Sequence, residues 1–387
     1  MSKTILLVTT GSPMKKYVLE HIKSLGYQLV VLESAPNWAS PLVDDWILAD
    51  LDNFEACLKA VKKFSKPMAA IVTFDEFAVE LCGFLNTELG LKGISYNVAK
   101  ICRNKHDFRT FCQANQLPVT PFRLIKSAAD VQYVQNHFST DIVIKPTKAA
   151  GSQEVQALST SQLNLKQHQG YLVEQTLQGR EVDIDALVQD GAVKFYSISD
   201  NFNTGWPYFL QDKAYMPSNL ASSQQDTLFG LLQTLIKKLN IKDGCLHLEA
   251  MIDGSQVCPL ELNLRMGASA TFTLNKAVYG VDLIDNILKI HQGQTLEDLN
   301  GLPVLKQVRT QYFRASNAGK LNTLQINSHT PGYEELNFYC QIGDLVALPP
   351  ADFRALGHIV VSGKDRPEAE ANLAQALQQI SYTVAPH

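Results

Sequence analysis

The sequence predicts an α/β domain built on a parallel sheet, followed by α+β segments, and three observations carry that reading. Residues 4 to 100 alternate short apolar strands with helical patterns, the middle of the chain holds acid-bearing hairpins, and the tail from about residue 304 returns to strands and a final helix. Strands alternating with helices imply a parallel sheet with covering helices, while strand runs closed by turns imply antiparallel pairing. At 387 residues with a 45% apolar share, the chain can bury several cores and suits two or three domains.

Composition narrows the function classes. No apolar run approaches the roughly 20 residues of a membrane span, and the N-terminus MSKTILLVTTGSP does not read as a signal peptide. A cytoplasmic protein with no membrane partner is the expectation. A net charge of −4 argues against a nucleic-acid surface. The seven cysteines show no paired metal spacing and read as reduced, structural residues.

Taken in order, the βα run is TILLVTT, MKKYVLEHIKSLG, QLVVLES, NFEACLKAVKKFS, AAIVTF and EFAVELCGFLNTELGL. The turn Thr9-Thr10-Gly11-Ser12 reads either as a plain strand-to-helix turn or as a phosphate acceptor, without the three-glycine dinucleotide fingerprint. Asp75-Glu76 ends a strand at the edge where open α/β sheets bind ligands, so Glu76 reads as holding a substrate ammonium or as a helix N-terminal acid. VAKICRNKHDFRTFCQANQ reads as one helix carrying Lys105 and ending before Pro118, with a domain boundary near residue 100. DIVIKPTKAAGSQEV is a strand ending at Lys145-Pro146 and then a small-residue loop, which can lay backbone N–H groups and a lysine along a polyphosphate.

In GYLVEQTLQGREVDIDALVQDGAVKFYSI, a strand ends in Glu174 and a second carries Glu181, Asp183 and Asp185 at period two. It reads as an acidic hairpin edge, or as a hinge at Glu174 to Leu177 that meets an adenine while Glu181 meets ribose hydroxyls. TLFGLLQTLIKKLN is an amphipathic helix, and beyond residue 270 KAVYGVDLIDNILKIHQGQ reads as a helix interrupted near Gly280.

The stretch CLHLEAMIDGSQVCPLELNLRMGAS, residues 245 to 269, reads as a hairpin turning at Asp253-Gly254-Ser255. A three-residue loop puts Glu249 opposite Pro259, with Glu261 a same-face diagonal neighbour roughly 7 Å away. A four-residue loop puts the two carboxylates on opposite faces. Two acids on one face repel unless a cation lies between them. That register therefore predicts magnesium or manganese held by Glu249, Glu261 and Asn263, against the plainer reading of a solvated acidic face.

The ordered set NKHDFRTFC, VIKP, LVEQTLQGREVDIDAL, HLEAMI and ELNLRMGAS resembles the ATP-grasp superfamily, specifically carboxylate–amine ligases of the L-amino-acid ligase kind, over nearly the whole length. The resemblance implies a βα pre-ATP-grasp domain over residues 1–100 and an ATP-grasp domain over 101–303, with about 118–180 as a mobile lid. A small α+β cap would cover 304–387. It implies that Lys105, Lys145 and Ser152 bind ATP phosphates, that Glu174, Gln175 and Leu177 meet the adenine, and that Glu181 meets the ribose. Glu249, Glu261 and Asn263 would hold two magnesium (or manganese) ions. Arg265 and Lys145 would be catalytic, with Glu76, Arg265, Gly267 and Ala268 facing the substrates. The implied reaction joins a small carboxylate to an amine through an acylphosphate, releasing ADP and phosphate, in an enzyme expected to be a homodimer like similar ligases. A bicarbonate-activating relative and a non-catalytic ATP-binding module are the alternatives. Two positions depart from the usual pattern: Glu154 stands in the phosphate loop where glycine is usual, and Ala268 follows Gly267 in place of a second glycine.

Overall fold

Residues 4–72 form a fully parallel sheet of β1 (Thr4–Val8), β2 (Gln28–Glu33), β3 (Asp45–Leu48) and β4 (Met68–Val72), in the order β3-β2-β1-β4. This is seen in a computed structural model that describes residues 3–267, 270–326 and 330–385. The strands read as unbroken apolar runs because both faces are covered. Ile5 and Leu7 pack with Val18, Leu19 and Ile22 of the helix Lys16–Ser24, whereas Leu6 and Val8 meet Cys57, Leu58 and Val61 of the helix Phe54–Lys63.

The helix Leu283–His291 also covers this sheet and ties it to the middle of the chain. Its last residue, His291, donates from Nδ1 to the Ile71 carbonyl at 3.0 Å, and burial holds its pKa down to about 4. An unfolded imidazole titrates near 6.5. The neutral ring therefore contributes stability in full above pH 6.5, and that stability is lost as pH falls toward 4. In His291→Gln, the gap in unfolding free energy from the parent should shrink by up to ~3 kcal/mol across that window. Urea unfolding at several pH values checks this; a gap that does not vary with pH would contradict it.

Where one helix is expected after residue 97, the structure has two, Tyr96–Arg103 and Lys105–Ala114. Asn104 separates them, its side chain accepting from the backbone N–H groups of His106 and Asp107 at 3.0 and 3.3 Å, as an N-cap does. The break places Lys105 on the first turn of the second helix, where its own N–H donates to the Thr147 carbonyl.

A second sheet, antiparallel throughout, is made by β5 (Phe122–Leu124), β6 (Asp141–Pro146), β7 (Gln156–Ser159) and β8 (Tyr171–Gln175), in the order β5-β8-β6-β7. It has a core of its own around Ile125, Val134, Ile142, Ile144 and Val173, within the span expected for a lid.

The middle of the chain supplies β9 (Arg180–Gln189), β10 (Ala192–Asn203), β11 (Gln211–Met216), β12 (Gly244–Asp253) and β13 (Gln256–Asn263). The tail adds β14 (Gln307–Phe313), β15 (Gly319–Ile326), β16 (Tyr333–Phe338), β17 (Leu345–Val346), β18 (Gly357–Gly363) and β19 (Ile380–Ala385). Eight of these form one antiparallel sheet in the order β13-β12-β9-β10-β11-β14-β18-β16, and β17-β15-β19 form a small sheet of their own. β14 pairs with the otherwise open edge of β11, so a continuous sheet crosses the expected boundary at 304.

Alternation along β9 then decides which face carries chemistry. Val182, Ile184 and Ala186 pack with Leu228, Leu231 and Leu235 of the helix Ser222–Leu239, and with Leu246 and Leu248 of β12. Side chains alternate across a strand, so Glu181, Asp183 and Asp185 take the opposite face.

Candidate active site

That acidic face forms the floor of a cavity of about 1030 Å³, walled by the β5–β8 sheet and its loop, the central sheet, the first βα turn and the tail. Its volume is at the top of the range of about 300–1,000 Å³ for small-molecule sites. Pairing across the sheet sets the acids in rows. Asp183 lies opposite Glu249 and Glu249 opposite Glu261, while Asp185 lies opposite His247 and His247 opposite Asn263.

The register of β12 and β13 is neither of those expected from sequence. Asp253 pairs with Gln256 around a two-residue Gly254-Ser255 turn, and the ladder runs regularly to Ala250 opposite Pro259. Continued unbroken, it would set Glu249 against Leu260 and send Glu261 to the other face. Instead Leu260 is an extra, unpaired residue, and Glu249 falls directly opposite Glu261. A β-bulge therefore brings the two carboxylates together.

Arg109, unremarked in the sequence, holds that bulge. From the helix Lys105–Ala114, fully buried, it donates from Nη2 to the Leu260 carbonyl at 2.6 Å and from Nε to Glu174. The other Glu174 oxygen pairs with Lys145. Burial alone would raise the Glu174 pKa, but Arg109 and Lys145 together hold it well below the usual carboxylate range. Lys105 Nζ lies 2.9 Å from Glu261 Oε1 and 3.1 Å from the Ala149 carbonyl of the loop between β6 and β7, so one lysine touches both the central sheet and that loop.

Among the described residues, the remaining acids of this face, Glu261 apart, have no lysine or arginine within ion-pair distance, and His247 is the cation beside them. Burial first, then the charge of Glu261, pushes Glu249 up to about 7. Burial raises Glu181, and raises Asp183 well above its ordinary value, and one Asp183 carboxylate oxygen has no hydrogen-bond partner. Glu261 is the exception: burial works against it, but Lys105 and Lys145 keep its pKa lowered. Carboxylates pressed together in this way suit a divalent cation, which reverses the local pKa logic. The oxygen donors Glu249, Glu261 and Asn263 fit a hard ion such as magnesium. Asn263 Nδ2 lies 3.2 Å from Glu249, on the same side. Among the described residues, no three His, Cys, Asp or Glu side chains form a closed metal cage. Such a set matches magnesium, which binds through one or two carboxylates completed by substrate phosphates.

Toward the β5–β8 sheet, Lys145, Ser152, Glu174, Gln175, Leu177 and Glu181 all reach the cavity wall. Thr120 donates to the Gln175 carbonyl at 2.9 Å, pinning the end of β8, and Asn201 and Asn203 donate to Glu181 at 2.9 and 2.7 Å. Gly151, Ser152 and Glu154 all adopt positive φ, between 56° and 64°. Glycine takes such a φ without strain, so Glu154 holds a backbone conformation that favours glycine. The Glu154 carboxylate accepts a hydrogen bond from Tyr171, which turns it toward the lid sheet.

At the far end, Arg265 Nε is 2.8 Å from Glu76, whose other oxygen is 3.5 Å from Arg103 Nε. The Arg265 contact is an ion pair without hydrogen-bond alignment. Glu76 is buried with both oxygens facing arginines, and in this state it holds Arg265 in place. Gly267 is required sterically, since a Cβ there would meet Thr271 Oγ1 at 2.4 Å and the His247 ring at 2.8 Å. Ala268 lies outside the described residues. His247, a cavity-lining residue that sequence reading also missed, bonds through Nδ1 to Asp185 at 2.8 Å. Burial opposes its protonation, but Asp185 raises its pKa to about 9. The alternation in HLE, which sets His247 and Glu249 on one face, was the available signal.

The sequence and the fold are similar to those of known proteins. Residues 138–273 match the family model described as ATP-grasp domain, and 311–385 match the L-amino acid ligase C-terminal domain 2. Human carnosine synthase 1 is 24% identical over 319 residues, covering 73% of this chain; the chain spans only 39% of that protein's length. An uncharacterised protein of Sinorhizobium fredii is 21% identical, covering 100% of this chain and 84% of its own. Among solved structures, the L-amino acid ligase from Bacillus licheniformis superposes with a TM-score of 0.86 at 18% identity, covering 99% of both chains. The Campylobacter jejuni biotin carboxylase superposes with a TM-score of 0.73 at 17% identity, covering 100% of this chain and 93% of that one.

Proposed function

We propose that this chain, which carries an ATP-grasp domain followed by an L-amino acid ligase C-terminal domain, is an ATP-dependent carboxylate–amine ligase. One observation carries the reading: the Glu249–Glu261 pair faces Lys105 and Lys145 across a single cavity, with Arg265 on the same wall. Phosphoryl transfer to a carboxylate brings two anions together, so the protein's task is charge neutralisation and positioning.

In this proposal the hinge at Gln175 to Leu177 receives the adenine, Glu181 the ribose, and Lys105, Lys145 and the Gly151-Ser152 loop the phosphates. Glu249, Glu261 and Asn263 would hold magnesium, two ions in the full reading, which supplies Lewis-acid neutralisation of the phosphates when bound. Arg265 holds the substrate carboxylate with a fork that lysine cannot reproduce. A carboxylate oxygen attacks the γ-phosphorus and ADP leaves. The neutral amine nitrogen then attacks the acyl carbon, phosphate departs with that oxygen, and the nitrogen gives up one proton to the departing phosphate or to water, leaving an amide. The lid, joined to the central sheet through Lys105 and Arg109, excludes water from the acylphosphate.

Phosphate release measured with ATP, magnesium and a mixture of L-amino acids tests the reading. Release that depends on amino acids is the expected result. Release that depends on bicarbonate instead, or tight ATP binding with no release, would overturn it.

A further inference from the structure

Among the described residues, six lysine and arginine side chains line the cavity, and five of them have a carboxylate within ion-pair distance. Lys16 pairs with Glu20, Lys105 with Glu261, Lys145 with Glu174, Arg265 with Glu76 and Arg354 with Asp352. Arg314, just beyond β14, has none.

It is nevertheless firmly placed. Nη1 donates to the Phe353 carbonyl at 3.2 Å and Nη2 to the Gln211 carbonyl at 2.6 Å, so the guanidinium is clamped between the tail and the start of β11. Among the described residues, its buried Nε–H has no hydrogen-bond partner. Backbone carbonyls orient the group without neutralising it, and a half-buried cation left unpaired is costly. Burial accordingly lowers the Arg314 pKa, with Asp212 too distant for an ion pair. A cation fixed in a cavity wall in this way is completed by an anion from the ligand.

The other ligand charges are already matched. In the ligase reading, on which this inference rests, Lys105 and Lys145 face the ATP phosphates and Arg265 faces the carboxylate to be activated. The amine substrate remains, and the wall around Arg314 is contributed by the tail residues Tyr339, Gln341 and Phe353, away from the metal-binding carboxylates of β12 and β13. We infer that Arg314 is a specificity-determining residue that binds a carboxylate on the amine-supplying substrate, so that the second substrate is an amino acid or peptide and not a simple amine. Arg is suited to this by its planar fork, which meets both oxygens of a carboxylate.

The test compares L-amino acids with their α-amides as amine substrates in the full-length protein. The parent is expected to show a KM at least ~30-fold lower for the acid than for the amide, in line with the loss of a charge-assisted contact. Arg314→Met should raise the KM for the acid to near that of the amide, while the KM for ATP and for the first carboxylate stay within about threefold; Arg314→Lys should recover part of the discrimination. Equal losses for acid and amide would overturn the inference. So would a fall in amine-independent hydroxamate formation, which would place Arg314 in phosphoryl transfer. If Arg314→Met does not fold, the parent decides alone, since a parent indifferent to the carboxylate overturns the inference. Phosphate release without acid-over-amide preference sinks only this assignment, whereas no release with any substrate pair sinks the ligase reading as well.

Discussion

Replacing Glu261 by alanine is expected to lower kcat on the order of 10³-fold, the scale associated with removing one preorganised group that stabilises transition-state charge. Glu261 stands between the two halves of the site: it lies opposite Glu249 in the sheet and 2.9 Å from Lys105. In the proposed reading its loss removes one oxygen ligand from the divalent-cation set, and it frees Lys105 from its carboxylate. Because the charge of Glu261 is what raises Glu249 beyond the effect of burial, the Glu249 pKa should fall in the variant. Steady-state kinetics and Mn²⁺ titration followed by electron paramagnetic resonance check the two halves of this prediction. Near-full activity with undiminished Mn²⁺ binding would remove Glu261 from the metal site.

Arg109→Met is expected to have the second large effect, and to show it in two readouts. Cutting one partner from a buried ion pair costs about 3–5 kcal/mol of stability, and Arg109 is fully buried against Glu174. It also frees the Leu260 carbonyl, whose bulge sets the register that puts Glu261 on the same face as Glu249. Losing support for a metal ligand typically weakens metal affinity 10–100-fold, and the same is expected for Mn²⁺ here. A variant destabilised in urea but with parental Mn²⁺ affinity would make Arg109 a core residue only. Arg109→Lys separates the cases further: it keeps the charge but cannot reach both partners with a fork, so it should recover stability better than metal affinity.

The sequence made the parallel sheet legible because βα alternation and unbroken apolar strands are local patterns. The acidic face was legible for the same reason, since Glu181, Asp183 and Asp185 recur at period two. What escaped was decided over long distances. A single unpaired residue, Leu260, sets the hairpin register, and the group that holds it comes from Arg109, more than a hundred residues earlier in the chain. No turn rule within the hairpin contains that information. The pairing of β11 with β14, which carries the central sheet into the tail, is likewise non-local. By contrast, the break at Asn104 had a local signal, because asparagine is a strong N-cap, and the apolar periodicity on either side masked it. The effect of Glu154 turned on a backbone conformation and a tyrosine partner in β8, neither readable from the loop itself.

The central claim is transfer of the γ-phosphoryl group to a substrate carboxylate, and isotope transfer tests it most directly. With the carboxylate substrate labelled with ¹⁸O in both oxygens, a single turnover should deliver one labelled oxygen to the released phosphate and leave the other in the amide, detected by mass spectrometry. Unlabelled phosphate, or release of AMP and pyrophosphate in place of ADP and phosphate, would contradict the account.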